Sequence, residues 1–395
     1  MSRAPIWNCA DAVVDLSRPR VMGVLNVTPD SFSDGGAHND PASAIATASD
    51  MLANGADVID VGGESTRPGF KPVTPKEELG RLEPVVCWLV REGALVSVDT
   101  HHPEVARKCV ELGAQIVNDV TGFSDPDMVS VAAESSCGCV VMHSGPVSGS
   151  ATASSAVMAK AGTDDLSSLM SNASAGDLGW ERKGDQALLP DHEGVMGLLE
   201  GYLLDRARDL EAAGVDPSRI CLDPGVGFGK SPEDNIVILR ETARLADLGY
   251  PLMCAVSRKR FVGTVSGVAK AAERDAATIG ITLAAVAQGA RVLRVHDVAG
   301  MAQALDGFWI ASDSWTSKFS VTVAPNDGKP DAEESVASAL DKMPLTRVVS
   351  PAEAAGKSGS VSLRVVTALD KVPFSRALGT ALDGCGATLE SISPQ

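Results

Sequence analysis

The chain has 395 residues, 44% of them hydrophobic, and a formal net charge of −17. That length suits one large domain with an extension. The charge excludes a basic face for nucleic-acid phosphates, but leaves room for a local cluster of cations around a small anion.

Residues 1–20 form an N-terminal segment, and MSRAPIWNCADAVVD lacks the apolar core of a signal peptide, so the expected location is the cytoplasm. From Val21 onward, short apolar runs alternate with helical patterns. The runs are VMGVLN (21–26), DVIDVG (57–62), LVSVD (95–99), AQIVN (114–118), CVVMH (139–143), RICLD (219–223), LMCAVS (252–257) and VLRV (292–295). The helical segments between them are 41–55, 76–93, 103–113, 127–135, 194–214, 233–249, 274–289 and 301–312. Gly55, Gly93, Gly113, Gly214 and Gly249 stand where helix C-caps belong. Strands that are apolar throughout suit a parallel sheet covered by helices. Eight such units over residues 21–312 predict a (β/α)8 TIM barrel rather than an open doubly wound sheet. Apolar stretches such as IGITLAAVAQGA are interrupted by Gly, Thr and Gln, so no membrane span is expected.

Two regions break the rhythm. Residues 145–190, rich in Ser, Ala and Gly, read as a long flexible insertion after the fifth strand. Residues 313–395 read as a small, weakly packed C-terminal extension with an approximate repeat, ALDKMPLTR (339–347) and ALDKVPFSR (368–376). The eight cysteines include no CxxC pair, and Cys139, Cys221 and Cys254 are expected to pack as small hydrophobes.

A TIM barrel carries its active site at the C-terminal ends of its strands. Here those ends are Asn26, Gly62-Gly63-Glu64, Asp99, Asn118, His143, Asp223, Ser257-Arg258-Lys259 and Arg294-Val295-His296. A polar residue at one strand end marks only where a strand gives way to a loop; a mixed set at nearly every end suggests a site. Asp99, Asn118 and Asp223 suit a flat heterocycle with a guanidine-like edge. Lys259, Arg294 and His296 suit an anion, on the strands where barrels commonly hold phosphate. Asn26 lies beside them once the barrel closes, and could reach a phosphate-bound Mg²⁺.

The stretches NVTPDSFSDGG, VIDVGGESTRPG, VSVDT, IVNDVTG, LDPGVGFGK, SRKRFVG and RVHDV resemble, in this order, the motifs of the pterin-binding dihydropteroate synthase family. The likeness runs from about Val21 to Phe308. It implies condensation of 4-aminobenzoate with (7,8-dihydropterin-6-yl)methyl diphosphate to 7,8-dihydropteroate in folate synthesis, with Mg²⁺ and a homodimer. Asp99, Asn118, Asp223 and Lys259 match the family's pterin-binding positions, with Asp99, Asp223 and Lys259 taken as catalytic. Asn26 matches the metal-diphosphate ligand, and Arg294 and His296 the diphosphate site. Thr66 and Arg67 match a second mobile loop. Phe32, Pro68 and Phe228 match the aminobenzoate slot, and Ser257 is counted with the substrate-binding positions. NVTPDSFSDGG itself then reads as a substrate loop that closes over the diphosphate.

The sequence departs from the family where SGP follows His143 and where Arg260 replaces a common Ser. Two other enzyme readings are weighed. A methyltransferase acting on a corrinoid protein would share the acids but has no need of the TPDSF loop or the SRK and RVH cluster. An aldolase-like lyase would use Lys259 as a Schiff-base nucleophile, its pKa lowered by Arg258 and Arg260. A non-catalytic paralogue is a third alternative, though no site position is visibly lost.

Overall fold

The computed structural model describes residues 6–28, 41–64, 73–147 and 192–312, and in the C-terminal part the strands 317–325, 346–355, 360–367 and 387–394 with a few positions between them. The eight expected runs become eight parallel strands: β3 (Arg20–Asn26), β4 (Val58–Gly62), β5 (Val96–Asp99), β6 (Ile116–Asp119), β7 (Gly138–Met142), β8 (Ile220–Asp223), β9 (Met253–Cys254) and β10 (Val292–Val295). They pair in the order β8-β7-β6-β5-β4-β3-β10-β9. A parallel bridge between Leu222 and Leu252 joins β8 to the residue before β9, so the sheet curls into a nearly closed barrel. Every residue of β4, β7 and β8 is buried, as strands covered on both faces must be.

Between and after the strands come α1 (Pro41–Ala53), α2 (Pro75–Arg91), α3 (Pro103–Glu111), α4 (Pro126–Glu134), α5 (His192–Ala212), α6 (Pro232–Arg240), α7 (Thr242–Ala246), α8 (Arg260–Ser266), α9 (Asp275–Ala287) and α10 (Val298–Ser312). Their starts are written in the sequence. Thr74 and Glu77 form a reciprocal capping box ahead of α2, and Ser231 and Asp234 do the same for α6. Each is followed by Pro at the first helical position, where its missing N–H costs nothing. The expected C-cap glycines 55, 93, 113, 214 and 249 all have positive φ.

Two expectations are corrected. The seventh strand, expected over 252–257, is regular only at Met253–Cys254, with Leu252 bridged to Leu222. Beyond it Arg258 takes a left-handed φ of 58°, its N–H bonds Thr278 Oγ1 at 3.1 Å, and its guanidinium grips Asp275 with two bonds of 2.7 Å. These bonds turn the chain outward from the sheet. The unit also gains α8, and the single helix expected over 233–249 breaks at Glu241 into α6 and α7.

The N-terminal segment, to which the sequence reading gave no structure, holds an antiparallel hairpin of β1 (Ile6–Cys9) and β2 (Ala12–Asp15). Trp7, Cys9, Val14 and Leu16 pack with Met22, Val58, Ile116, Val140, Cys221, Met253 and Val292, near the N-terminal ends of the barrel strands. The hairpin therefore plugs the end of the barrel opposite the strand tips. Trp7 Nε1 donates to the Arg219 carbonyl at 2.9 Å, and Asn8 Nδ2 to Ser218 Oγ at 2.7 Å. Gly138 leaves the room this needs: a Cβ there would sit 2.7 Å from Cys9 Sγ. Replacing Trp7 by Phe is expected to lower the unfolding free energy by about 1–2 kcal/mol, through a lost hydrogen bond and a small void. Urea denaturation of the full chain measures this; an unchanged midpoint would show that the plug adds nothing.

A second compact unit runs from Ala302 to Gln395, with Ala53–Gly55 grouped with it, so the boundary falls inside α10. It holds an antiparallel sheet of β11 (Ser317–Pro325), β12 (Thr346–Ala355), β13 (Ser360–Thr367) and β14 (Ala387–Pro394), in the order β12-β13-β11-β14. Val321, Leu363 and Val365 are buried, as are Leu340, Leu378 and Leu382. The weakly packed extension expected from the sequence is thus a sheet with its own core. The second copy of the repeat, at 368–376, lies outside the described residues, as does most of the insertion at 145–190.

Candidate active site

The strand register sets the site. Asn26 pairs with Gly62, Gly62 with Asp99, and Asp99 with Asn118, so the tips of β3 to β6 fall in one row. Alternation then decides which side chains point inward. Asn118 does, whereas its neighbour Asp119 turns into its own loop and accepts hydrogen bonds from the Thr121 and Phe123 backbone amides at 2.8 Å.

At the centre of the row Arg294, from β10, lies between two carboxylates. Its Nε donates to Asp60 Oδ2 and its Nη2 to Asp99 Oδ2, each at 2.6 Å. Asn118 Nδ2 donates to the same Asp60 oxygen at 3.2 Å. Asp60 is fully buried in the middle of β4 and was not among the expected site residues. The signal for it was present: one carboxylate inside an otherwise apolar strand demands a partner. One guanidinium shared by two acids leaves the group one negative charge in excess. Burial, with Asp60, Glu78 and Asp119 nearby, raises the Asp99 pKa to about 7 against the pull of Arg294. Burial would lower the pKa of Arg294, but Asp60 and Asp99 outweigh it and hold the guanidinium charged.

The sequence suggested acids on one flank and cations on the other. For Arg294 that division is corrected, because it is embedded among the acids. A cation in a barrel interior has to be neutralised there.

Across the barrel, Asp223 ends β8. It is 3% exposed and accepts from the Gly225 N–H at 2.8 Å. Burial raises its pKa, opposed first by Lys259. Lys259 donates to the Val226 carbonyl, and its ammonium lies 4.5 Å from the centroid of the Phe228 ring. Burial lowers the Lys259 pKa to about 8, with Asp223 opposing and Arg294 adding to the shift. The Phe228 ring thus forms a platform beneath Lys259.

His143 is 5% exposed and packs edge-on against Tyr202, ring centroids 4.6 Å apart. Lys230 Nζ lies 2.9 Å from His143 Nδ1 and also donates to the carbonyls of His143, Gly225 and Phe228. Burial, then the Lys230 charge, pushes the His143 pKa down to about 3, so the ring is neutral and accepts through Nδ1. Lys230, the last residue of LDPGVGFGK, ties the loops after β7 and β8 together.

His296 Nδ1 lies 2.9 Å from Ser257 Oγ, and the His296 N–H donates to the same oxygen at 3.1 Å. Ser257 is therefore beside His296, as a positioning partner at the rim. Arg258 is committed to Asp275 and Arg260 is exposed. Asn26 comes close to the acids: a Cβ built on Gly62 would lie 3.8 Å from both Asn26 Oδ1 and Asp99 Oδ2. Phe32, Thr66, Arg67 and Pro68 lie outside the described residues, with most of NVTPDSFSDGG.

The result is a cup with inward-facing acids, an amide and the enclosed cations Arg294 and Lys259, with the Ser257–His296 pair beside them. Such a set binds a polar heterocycle and stabilises charge that develops on it.

Comparison with known proteins agrees with this chemistry. The family profile described as pterin binding enzyme matches residues 22–296. A dihydropteroate synthase of Neisseria meningitidis serogroup C is 36% identical over 304 residues, covering 76% of this chain and 95% of that protein. A Xanthomonas albilineans dihydropteroate synthase solved with 4-aminobenzoic acid superposes with a TM-score of 0.65 at 36% identity, covering 79% of this chain and 100% of that one. The same enzyme solved with 7,8-dihydropteroate gives a TM-score of 0.62 at 35% identity over 79% of this chain and 100% of that one.

Proposed function

The chain belongs to the dihydropteroate synthases of the pterin-binding enzyme family, and from that premise we infer how its own residues run the reaction. It is a transferase of folate synthesis that joins 4-aminobenzoate to (7,8-dihydropterin-6-yl)methyl diphosphate. The observation that carries the assignment of residues is the buried Asp60–Arg294–Asp99 group, with Asn118 on the same row.

Asp99, Asn118 and Asp223 offer acceptors, and Asn118 a donor, to the amidine-like edge of the pterin. Lys259, enclosed beside Asp223, fixes the opposite edge. The C–O bond of the substrate breaks, and its electron pair leaves with the diphosphate. The methylene carbon left behind is electron-poor, and the excess negative charge around Arg294 stabilises it. The arylamine nitrogen then attacks and releases a proton. No covalent bond to the protein forms. His296, held by Ser257, stands at the rim where the diphosphate would depart.

Mg²⁺ belongs to this proposal. Asn26 offers a hard oxygen ligand beside Asp99, and the missing side chain of Gly62 leaves space next to both. Asn26 would hold such an ion through one oxygen, and the ion would supply neutralisation of the leaving group's charge. A homodimer and a cytoplasmic location are carried over from the family as parts of the same reading. Among the described residues no helix is long and apolar enough to cross a membrane.

Incubating the purified chain with the pterin diphosphate, 4-aminobenzoate and Mg²⁺ is expected to yield dihydropteroate; none formed by folded protein would overturn the reading. Lys259→Met keeps the apolar stem over Phe228 but removes the charge. It is expected to lower kcat/KM about 100-fold, about 2.7 kcal/mol in the transition state. Wild-type turnover in that variant would remove Lys259 from the machinery.

A further inference from the structure

A cluster that the reaction does not use lies where β4 and β5 leave the barrel. Glu64 follows the tip of β4. His101 and His102 follow Asp99-Thr100 at the tip of β5. One ligand atom from each of Glu64, His101 and His102 lies within 4.8 Å of the other two. The histidine rings stack on one another, centroids 4.1 Å apart at 38°.

Three further observations point to a ligand. First, Glu64 is only 8% exposed, yet neither of its carboxylate oxygens makes a hydrogen bond of normal geometry among the described residues. The Val73 backbone N–H approaches the carboxylate, outside that geometry. Second, fully buried Glu78 holds His102 from behind: its Oε2 lies 2.7 Å from His102 Nδ1 and accepts from Thr100 Oγ1 at 3.0 Å. This leaves Nε2 as the ring nitrogen available for a ligand. A carboxylate behind a histidine is the arrangement that orients metal-binding imidazoles. Third, His102 occupies the N-cap of α3, but its side chain makes no cap hydrogen bond. It is spent on Glu78 instead.

We propose that Glu64, His101 and His102 form a binding site for one first-row divalent metal ion, with Zn²⁺ the best match, and that Glu78 is the positioning residue for His102. Two imidazoles and one carboxylate are the donor set of open zinc sites. Imidazole nitrogen also separates this site from the oxygen-only ligation expected of Mg²⁺. Zinc–ligand bonds of about 2.0–2.1 Å require the three side chains to close in by small rotations. A doubly charged ion would neutralise both buried glutamates. It would also clamp the exit of β4 to that of β5, two residues beyond Asp99.

The proposal does not depend on the synthase reading, and its test does not use activity. The full-length chain, stripped of metal, is titrated with Zn²⁺ against a chromophoric chelator, and with Co²⁺ for its spectrum. One ion per chain is expected. His101→Gln and Glu64→Gln should each weaken binding at least tenfold, and Glu78→Gln about tenfold. Circular dichroism checks that each variant is folded. The Co²⁺ spectrum should lack a thiolate charge-transfer band. Zn²⁺, but not Mg²⁺, should raise the Tm of the wild type, and the rise should vanish in His101→Gln. Absence of stoichiometric binding, unchanged affinity in folded His101→Gln, or a thiolate band assigning the ion to cysteine would each overturn it.

Discussion

Asp99→Asn is expected to lower kcat/KM for dihydropteroate formation by about 10³-fold, about 4 kcal/mol, while the protein stays folded. The fold survives because Arg294 keeps Asp60 as a counter-ion at 2.6 Å. What is lost is the charge excess: one guanidinium facing one carboxylate is neutral, and a neutral floor stabilises an electron-poor methylene far less. The pH profile gives an independent reading. Asp99 titrates near pH 7 and acts as the carboxylate, so wild-type kcat/KM should fall as pH drops through about 7. Lys259 titrates near pH 8 and acts as the ammonium, so the rate should fall again as pH rises through about 8. In the Asn variant the acid limb should disappear and the alkaline limb remain. A variant as active as wild type, or with both limbs intact, would show that Asp99 does not act as assigned.

Gly225→Ala is expected to cost at least about 4 kcal/mol of stability, beyond the range of ordinary surface changes. Gly225 has φ +65°, and a Cβ there would lie 1.8 Å from the His143 carbonyl oxygen and 2.9 Å from its carbon. Both atoms are backbone and cannot step aside. Relief requires the loops after β7 and β8 to part, which breaks the Gly225 N–H bond to Asp223 and disturbs the carbonyl cage around Lys230. Gly249→Ala is the control. Its φ of +94° is also left-handed, but nothing described lies within 4 Å of the added carbon. That variant should lose only about 1 kcal/mol. Denaturant midpoints compare the two; equal losses would mean that strain in φ, not the carbonyl, governs Gly225.

The barrel was legible because its strands are short β-branched runs buried on both faces, a pattern that helices of this length do not produce. Strand tips were legible for the same reason: polarity returns where burial stops. Asp60 escaped because it sits inside β4, where the rule of polar tips does not look. The hairpin escaped because its turn, Ala10-Asp11, carries no Gly or Asn, although Ala10 takes φ 55°. In the C-terminal unit the alternation of SVSLRVVT was available, with Leu363 and Val365 buried. It was obscured by the surrounding Ala, Ser and Pro. The interleaving of Arg294 with the acids could not be read at all. Which of two inward-pointing groups meet across a barrel depends on tilt and register, which no single strand encodes.

The hairpin beneath the barrel also sets a schedule for biosynthesis. Trp7 and the carbonyl that receives its indole N–H are 212 residues apart, so the partner of Trp7, in the lead-in to β8, is made long after it. Vectorial synthesis must hold an apolar ribbon without its seat until those 212 further residues have been made. That is a long wait for an aggregation-prone edge, and loop closure over such a span is slow. The nascent chain should therefore be a chaperone client until residues near Arg219 have appeared, and a ribosome-bound chain halted before that point should leave Trp7 open to solvent quenchers.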